Sequence, residues 1–140
     1  MNLASVVDRI ESRSSSFKVV GGAAKFDQAT KGLPAAPAAF ALLGQETGEP
    51  NPFANQMVEQ LVKVSFVVVI ATRNLEDDRG LAAADSLESL RLSVRDALLN
   101  WTPDGATDGC EYESGQLMLF ENGVLWWADN FGTKYMIRSV

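Results

Sequence analysis

The 140-residue chain contains no histidine. Histidine is the side chain most often used to move protons near neutral pH and the commonest transition-metal ligand, so much ordinary acid–base and metal chemistry is disfavoured. Cysteine is almost as scarce. Cys110 stands alone, which excludes an intrachain disulfide and gives no sign of secretion. Basic residues are outnumbered, 12 against 18 acids, for a formal net charge of -6. Binding to phosphate backbones relies on clustered Lys and Arg, so nucleic acid is not an expected ligand. Long apolar runs are also missing. The best, residues 64–71, stops at about half the length needed to cross a bilayer. Residues 1–13 are interrupted by Asp8, Arg9, Glu11 and Arg13 and lack the apolar stretch of a signal peptide. No membrane partner is expected.

The composition that remains is that of a folded globular chain: 46% hydrophobic and 21% charged. Its length suits one domain, and no internal repeat, linker or low-complexity tract divides it, so residues 1–140 are expected to form a single domain.

Leu3, Val6, Val7 and Ile10 recur at helical spacing and predict a short amphipathic helix over residues 2–12. The polar run Ser14, Ser15, Ser16 follows it. Residues 17–20 read as a short strand stopped by Gly21 and Gly22, and residues 23–31 as one or two helical turns. The prolines of residues 33–38 end that helix. An apolar run at 39–43 predicts a strand, and residues 44–52, dense in turn formers, predict a long loop. Loops of that size are uncommon in compact domains unless functional or mobile.

Residues 57–72 carry the strongest strand signal. Val58, Val62, Val64 and Phe66 alternate with Glu59, Lys63 and Ser65, and residues 66–70 are apolar on both faces. Such a strand begins at an edge or protrusion and ends at the buried centre of a sheet. Residues 80–100 form the main predicted helix, with Leu81, Ala84, Leu87, Leu90, Val94, Ala97, Leu98 and Trp101 on one face. Asp77 or Asp78 would cap it. The last third reads as β structure at Tyr112, 116–121, 124–127 and 133–138, with Asn122-Gly123 as a two-residue hairpin turn. The resulting class is α+β, a mostly antiparallel sheet with helices packed on one side.

Chemistry is sparse. Ser14 to Ser16 could supply a nucleophile, but with no histidine and no elbow motif a solvated helix end is the simpler reading. Glu76, Asp77 and Asp78 lack the spacing of a calcium loop, and capping explains them better. Gly21-Gly22 matches neither the P-loop nor the dinucleotide fingerprint. No metal or cofactor is expected. Trp126, Trp127, Phe131 and Trp101 could stack a base or sugar, although packing is the simpler role. Adjacent residues on a strand face opposite sides, so only one of Trp126 and Trp127 can join the core beneath the main helix. The other needs a second cover, from an N-terminal segment or a neighbouring subunit.

The helix phrase running from Asp85 through Leu87, Leu90, Val94 and Trp101 to Pro103 precedes a β region ending Asn122-Gly-Val-Leu-Trp-Trp-Ala-Asp-Asn-Phe-Gly-Thr-Lys-Tyr135. Together with the Val64-Ser-Phe-Val-Val-Val-Ile-Ala-Thr-Arg-Asn74 strand, this resembles the tail terminator (tail completion) proteins of Mu-like and related long-tailed phages and prophages, over nearly the whole chain. The resemblance implies a sheet covered by helices and a structural, non-enzymatic role with no catalytic residues. It further implies a ring, generally a hexamer, that stops tail-tube polymerisation and presents the head-docking surface. The implied partners are copies of itself, the tail tube protein and the head–neck connector protein, with DNA passing through unbound. The implied location is the virion tail, after assembly in the bacterial host cytoplasm.

A closed ring needs complementary surfaces on each subunit. The extended hairpin of residues 39–72 with its long loop is the candidate arm, and its interface candidates are Gln45, Glu46, Thr47, Glu49, Asn51, Phe53, Val58 and Gln60. A strand half exposed at its start could pair with a neighbour's edge. A bore that passes DNA should not hold it, so some of Glu46, Glu49, Asp104 and Asp108 are expected to face the lumen. Two other readings remain: another neck or head–tail joining protein, and a small-molecule-binding domain using the tryptophans. An enzyme is the weakest, and would need a convergent acid, base and nucleophile.

Overall fold

In a computed structural model the chain is described over residues 1–53, 57–73 and 81–139, with the side chains of the main helix described from Ser86 onward. The elements run α1 (Leu3–Arg13), β1 (Val19–Gly21), α2 (Ala23–Lys31), β2 (Ala38–Gly48), β3 (Val58–Arg73), α3 (Leu81–Leu98), β4 (Glu111–Glu121) and β5 (Val124–Ser139). The five strands form one sheet in the order β1-β2-β3-β5-β4. Among the described strands β1 and β2 pair in parallel, and the other three pairs are antiparallel. The parallel pair needs a crossover, and α2 supplies it.

Alternation along β3 decides the two faces. Phe66, Val68 and Ile70 point into a core with Ala39 and Ala41 of β2, Leu125 and Phe131 of β5, Val6 and Ile10 of α1, and Leu87, Leu90, Val94, Ala97 and Leu98 of α3. Val69 and Ala71 point the other way, toward Phe40, Ala38, Val124 and Ala29 of α2. Each fully buried Phe or Ile in these layers stabilises the fold by roughly 1.5–3 kcal/mol. The two longer helices thus share one face, as the hydrophobic spacing predicts, while α2 covers one end of the opposite face. The apolar tract 66–70 demands that second layer, because a central strand apolar on both sides cannot leave one side in water.

Local signals explain the boundaries. Asn2 caps α1, its side chain accepting from the Ala4 amide at 2.9 Å. Arg9 then donates from Nε to the Ala97 carbonyl at 2.8 Å and ties α1 to the end of α3. Asn122 and Gly123 both take positive φ, 54° and 75°, and close the β4–β5 hairpin as expected of that dipeptide.

Three expectations are corrected. Residues 44–48 belong to β2 and not to a loop: Gln45, Glu46, Thr47 and Gly48 pair with Ser65, Val64, Lys63 and Val62, after a register shift between Leu43 and Gln45. The turn-forming composition there is overridden by a long partner strand that supplies the hydrogen bonds. Residues 124–127 and 133–138 are parts of one strand, β5, held straight by continuous pairing with β3 from Val58↔Ser139 to Arg73↔Val124. Ser14 is not a solvated helix end. It is buried, and its Oγ accepts from Ser93 Oγ of α3 at 2.6 Å. A neighbouring serine cannot act as its base, so the contact is a helix–helix tie. The acidic run Glu76 to Asp78 and its capping role lie outside the described residues.

Candidate assembly surface

Below the helices, the outer halves of β2, β3 and β5 extend as a three-stranded arm. β3 lies at its centre, so the exposed start of this strand is a protrusion and not an edge. The arm's tip is tied by side chains. Asn51 Oδ1 accepts from the Glu59 amide at 3.1 Å and from the Phe53 amide at 3.4 Å, and Asn51 Nδ2 donates to the Met57 carbonyl at 3.0 Å. Gln60 Nε2 donates to the Glu49 carbonyl at 2.9 Å, and the Glu49 amide donates to the Leu61 carbonyl at 2.8 Å. Arg138 lies 3.2 Å from Glu59. Asn51, Glu49 and Gln60 are thus brought together, and their amides and carbonyls hold the tip. Among the described residues, Phe53, Met57, Val58 and Ile137 are the large apolar side chains left exposed there.

The four acidic candidates do not converge. Glu46 pairs with Val64 and shares the α1/α3 face, where it accepts from Tyr135 Oη at 3.1 Å. That hydrogen bond holds the Tyr135 phenol above its ordinary pKa. Glu49, opposite Leu61, falls on the other face, with its carboxylate 3.6 Å from Lys63 Nζ. Asp104 sits beside the start of α1: its carbonyl accepts from the Asn2 amide at 2.7 Å, and its amide donates to Ser5 Oγ at 3.1 Å. Asp108 lies along the edge of β5. Its side chain accepts from Thr107 Oγ1 at 2.8 Å, and its carbonyl accepts from Thr133 Oγ1 at 2.6 Å.

The aromatic residues also separate. Trp126 and Trp127 take opposite faces, as alternation requires. Trp126 meets Phe26 of α2 edge-on at 6.1 Å, so an N-terminal segment provides its cover. Phe131 stacks on Phe66 at 5.8 Å in the core, and Trp101 lies under the Arg9 guanidinium at 5.4 Å. These rings serve packing in several places and do not form one stacking cleft.

Trp127 belongs to a polar cluster that the sequence reading missed. Asp129 of β5 is fully buried. Its carboxylate accepts two bonds from Arg91 of α3, from Nε at 3.0 Å and Nη2 at 3.1 Å, and a third from Trp127 Nε1 at 2.8 Å. Arg91 also donates to Tyr112 Oη at 3.2 Å and lies 4.6 Å from the Trp127 ring centroid. Burial alone would lower the Arg91 pKa. The hydrogen bond and charge of Asp129 outweigh that and hold it above the ordinary value. Gly115 makes room for the cluster: a Cβ there would stand 2.5 Å from Asp129 Oδ1 and 2.6 Å from Tyr112 Oη. Every group is occupied by a neighbour, so the cluster anchors α3 to the sheet. The sequence signal for it was an acid directly after the apolar run Val124-Leu-Trp-Trp-Ala128.

The sheet's two lateral borders are open among the described residues. β4 has β5 on one side and no strand on the other. It exposes four consecutive apolar residues, Leu117, Met118, Leu119 and Phe120. On the opposite border β1 pairs only with Ala38, Ala39 and Phe40, so residues 42–48 of β2 lack an outer neighbour. A groove of about 600 Å³ lies between α2 and the β4–β5 turn, walled by Phe26, Leu33, Met118, Leu119, Val124 and Trp126. Among the described residues no group of three or more acidic or cysteine side chains is placed to hold a metal. No described helix is long and apolar enough to cross a membrane.

The fold and its surfaces define a small α+β building block, helix-covered, with an arm and open sheet borders. The family of phage tail terminator proteins matches residues 1–139, and the chain belongs to that family; it is a structural protein of the phage tail. Among solved structures, the chain is similar to one described as the virion of a native gene transfer agent particle. The TM-score is 0.61 at 15% identity, covering 96% of this chain and 94% of that one, a likeness that shows the fold. No curated protein matches the sequence.

Proposed function

We propose that copies of this chain close into a ring, most simply a hexamer, that caps the tail tube, stops its polymerisation and presents the surface on which the filled head docks. Membership of the terminator family over residues 1–139 carries this reading. Its partners are then other copies of itself, the tail tube protein and the head–neck connector protein, within a virion tail assembled in the host cytoplasm. The arm candidates, Gln45, Glu46, Thr47, Glu49, Asn51, Phe53, Val58 and Gln60, supply contacts between subunits or to the tube. Some of Glu46, Glu49, Asp104 and Asp108 line the bore and keep passing DNA unbound, because like charge repels the phosphate backbone. Glu46 and Glu49 leave opposite faces of the arm, so one wall would not carry both.

The test is electron microscopy and sedimentation of the purified chain, alone and with purified tail tubes. Rings on their own or at tube ends are the expected result. A chain that stays monomeric at every concentration and leaves tubes growing would overturn the proposal.

A further inference from the structure

We infer that the ring contact is made edge to edge: β4 of one copy lies against the β1–β2 border of the next, extending the sheet from subunit to subunit. This rests on the ring reading above and specifies the surface that it uses. Three observations carry it.

The two borders are both open and differ from one another, which is what a heterologous contact requires. Their strand directions also agree. β4 runs antiparallel to β5, and β5 runs in the same sense as β2 and β1, so a neighbour facing the same way meets β4 in antiparallel pairing.

The residues on β4 are wrong for a border that stays in water. Leu117 and Phe120 pair with Trp127 and Leu125 and share the α3 face. Leu119 pairs with Trp126 and, with Met118, lines the groove on the α2 face. An unprotected edge that is apolar on both faces invites pairing, and soluble monomers blunt such edges with charge. Leu43, 59% exposed, sits on the facing border of β2.

The charges at one end of the contact are complementary. By the strand registers Glu121, at the end of β4, is level to within one residue with Lys18, just before β1, whereas Lys31 lines the groove beside Glu121 of its own chain and Glu111 is level with Gln45 of β2. Glu121 and Lys18 are exposed. Opposite charge across an interface fixes partner and register, and juxtaposed like charges weaken it.

The experiment reverses one border at a time in the full chain. One variant carries Glu121→Lys; the other carries Lys18→Glu. Each alone should place like charges across the contact and raise the concentration needed for ring formation at least about tenfold. Mixed in equal amounts, the two should assemble again, because every contact in an alternating ring becomes complementary. Sedimentation and electron microscopy, alone and with tail tubes, read the outcome. Two variants that each assemble like the wild type, or a mixture of two folded variants that stays apart, overturns the edge contact while leaving the ring. A wild type that forms no ring under either condition overturns the ring and this contact with it. Should either variant fail to fold, hydrogen exchange on the wild-type assembly decides. The amides of residues 111–121 and 42–48 should gain protection on assembly, and unchanged rapid exchange at both overturns the contact.

Discussion

Arg91 and Asp129, 38 residues apart in sequence, form a two-bond ion pair in which the carboxylate is fully buried and the guanidinium is 13% exposed. Breaking such a pair from one side leaves a buried charge without its partner. Asp129→Ala should lower the unfolding free energy by about 3–5 kcal/mol, since it strands the guanidinium and also removes the acceptor of Trp127 Nε1. Combining it with Arg91→Met should recover part of that loss, because no charge is then left unpaired. Urea denaturation of the wild type, both single variants and the double variant measures the coupling. A single-variant cost under about 1 kcal/mol would show that the pair does not anchor α3.

Gly115 is predicted to be irreplaceable for a spatial reason. Gly115→Ala places a methyl group against Asp129 Oδ1, Tyr112 Oη and Trp127 Cζ2. Tyr112 is exposed and can swing aside, but Asp129 cannot, so a loss of about 1–3 kcal/mol is expected. A thermal melt indistinguishable from the wild type would contradict this packing.

Burial pushes the Cys110 thiol up from 9.0 to about 12. Cys110 should therefore resist alkylation by iodoacetamide at pH 8 in the native chain and react once the chain is unfolded. The folded pKa is the raised one, so the associated stability is intact below about pH 9 and is lost as pH climbs toward about 12. Denaturation midpoints at pH 8 and pH 10.5, compared with a Cys110→Ala variant, test the sign: the wild type should lose more over that interval.

At the arm's tip, Asn51→Ala removes an acceptor from the Glu59 amide and a donor to the Met57 carbonyl. The tip is exposed, so global stability should change by no more than about 1 kcal/mol. The Glu59 amide should exchange faster, and tube capping should weaken if the tip contacts tube or neighbour. Unchanged exchange at Glu59 would mean that the Asn51 bonds do not hold the tip in solution.

If acidic side chains line the bore, Glu46→Lys with Asp108→Lys should leave particles that assemble but release their DNA more slowly, most visibly at low salt. Equal release rates across ionic strength would place both residues away from the DNA path.

Local pattern was legible where the chain's own geometry imposes it. The helical spacing of Val6 and Ile10, and of Leu87, Leu90, Val94 and Leu98, marks the buried stripes of α1 and α3. Asn122-Gly123 marks the hairpin, and the adjacency of Trp126 and Trp127 requires two covered faces. Residues 44–48 were misread because their composition favours turns, while the pairing that makes them strand comes from Val62 to Ser65. Leu117 to Phe120 were visible as an apolar strand segment, but nothing nearby in the sequence says that β4 lies at a border.

The sequence by itself determined what is excluded and which faces are apolar: the lack of histidine, the lone cysteine, the alternation of β3 and the stripe of α3 are properties of neighbouring residues. Tertiary structure alone decided the strand order, the open borders, the placement of α2 on the second face, and the meeting of Arg91 with Asp129. Those depend on hydrogen bonds and charge contacts between segments tens of residues apart, and no local periodicity encodes which distant partner a strand or a buried acid will find.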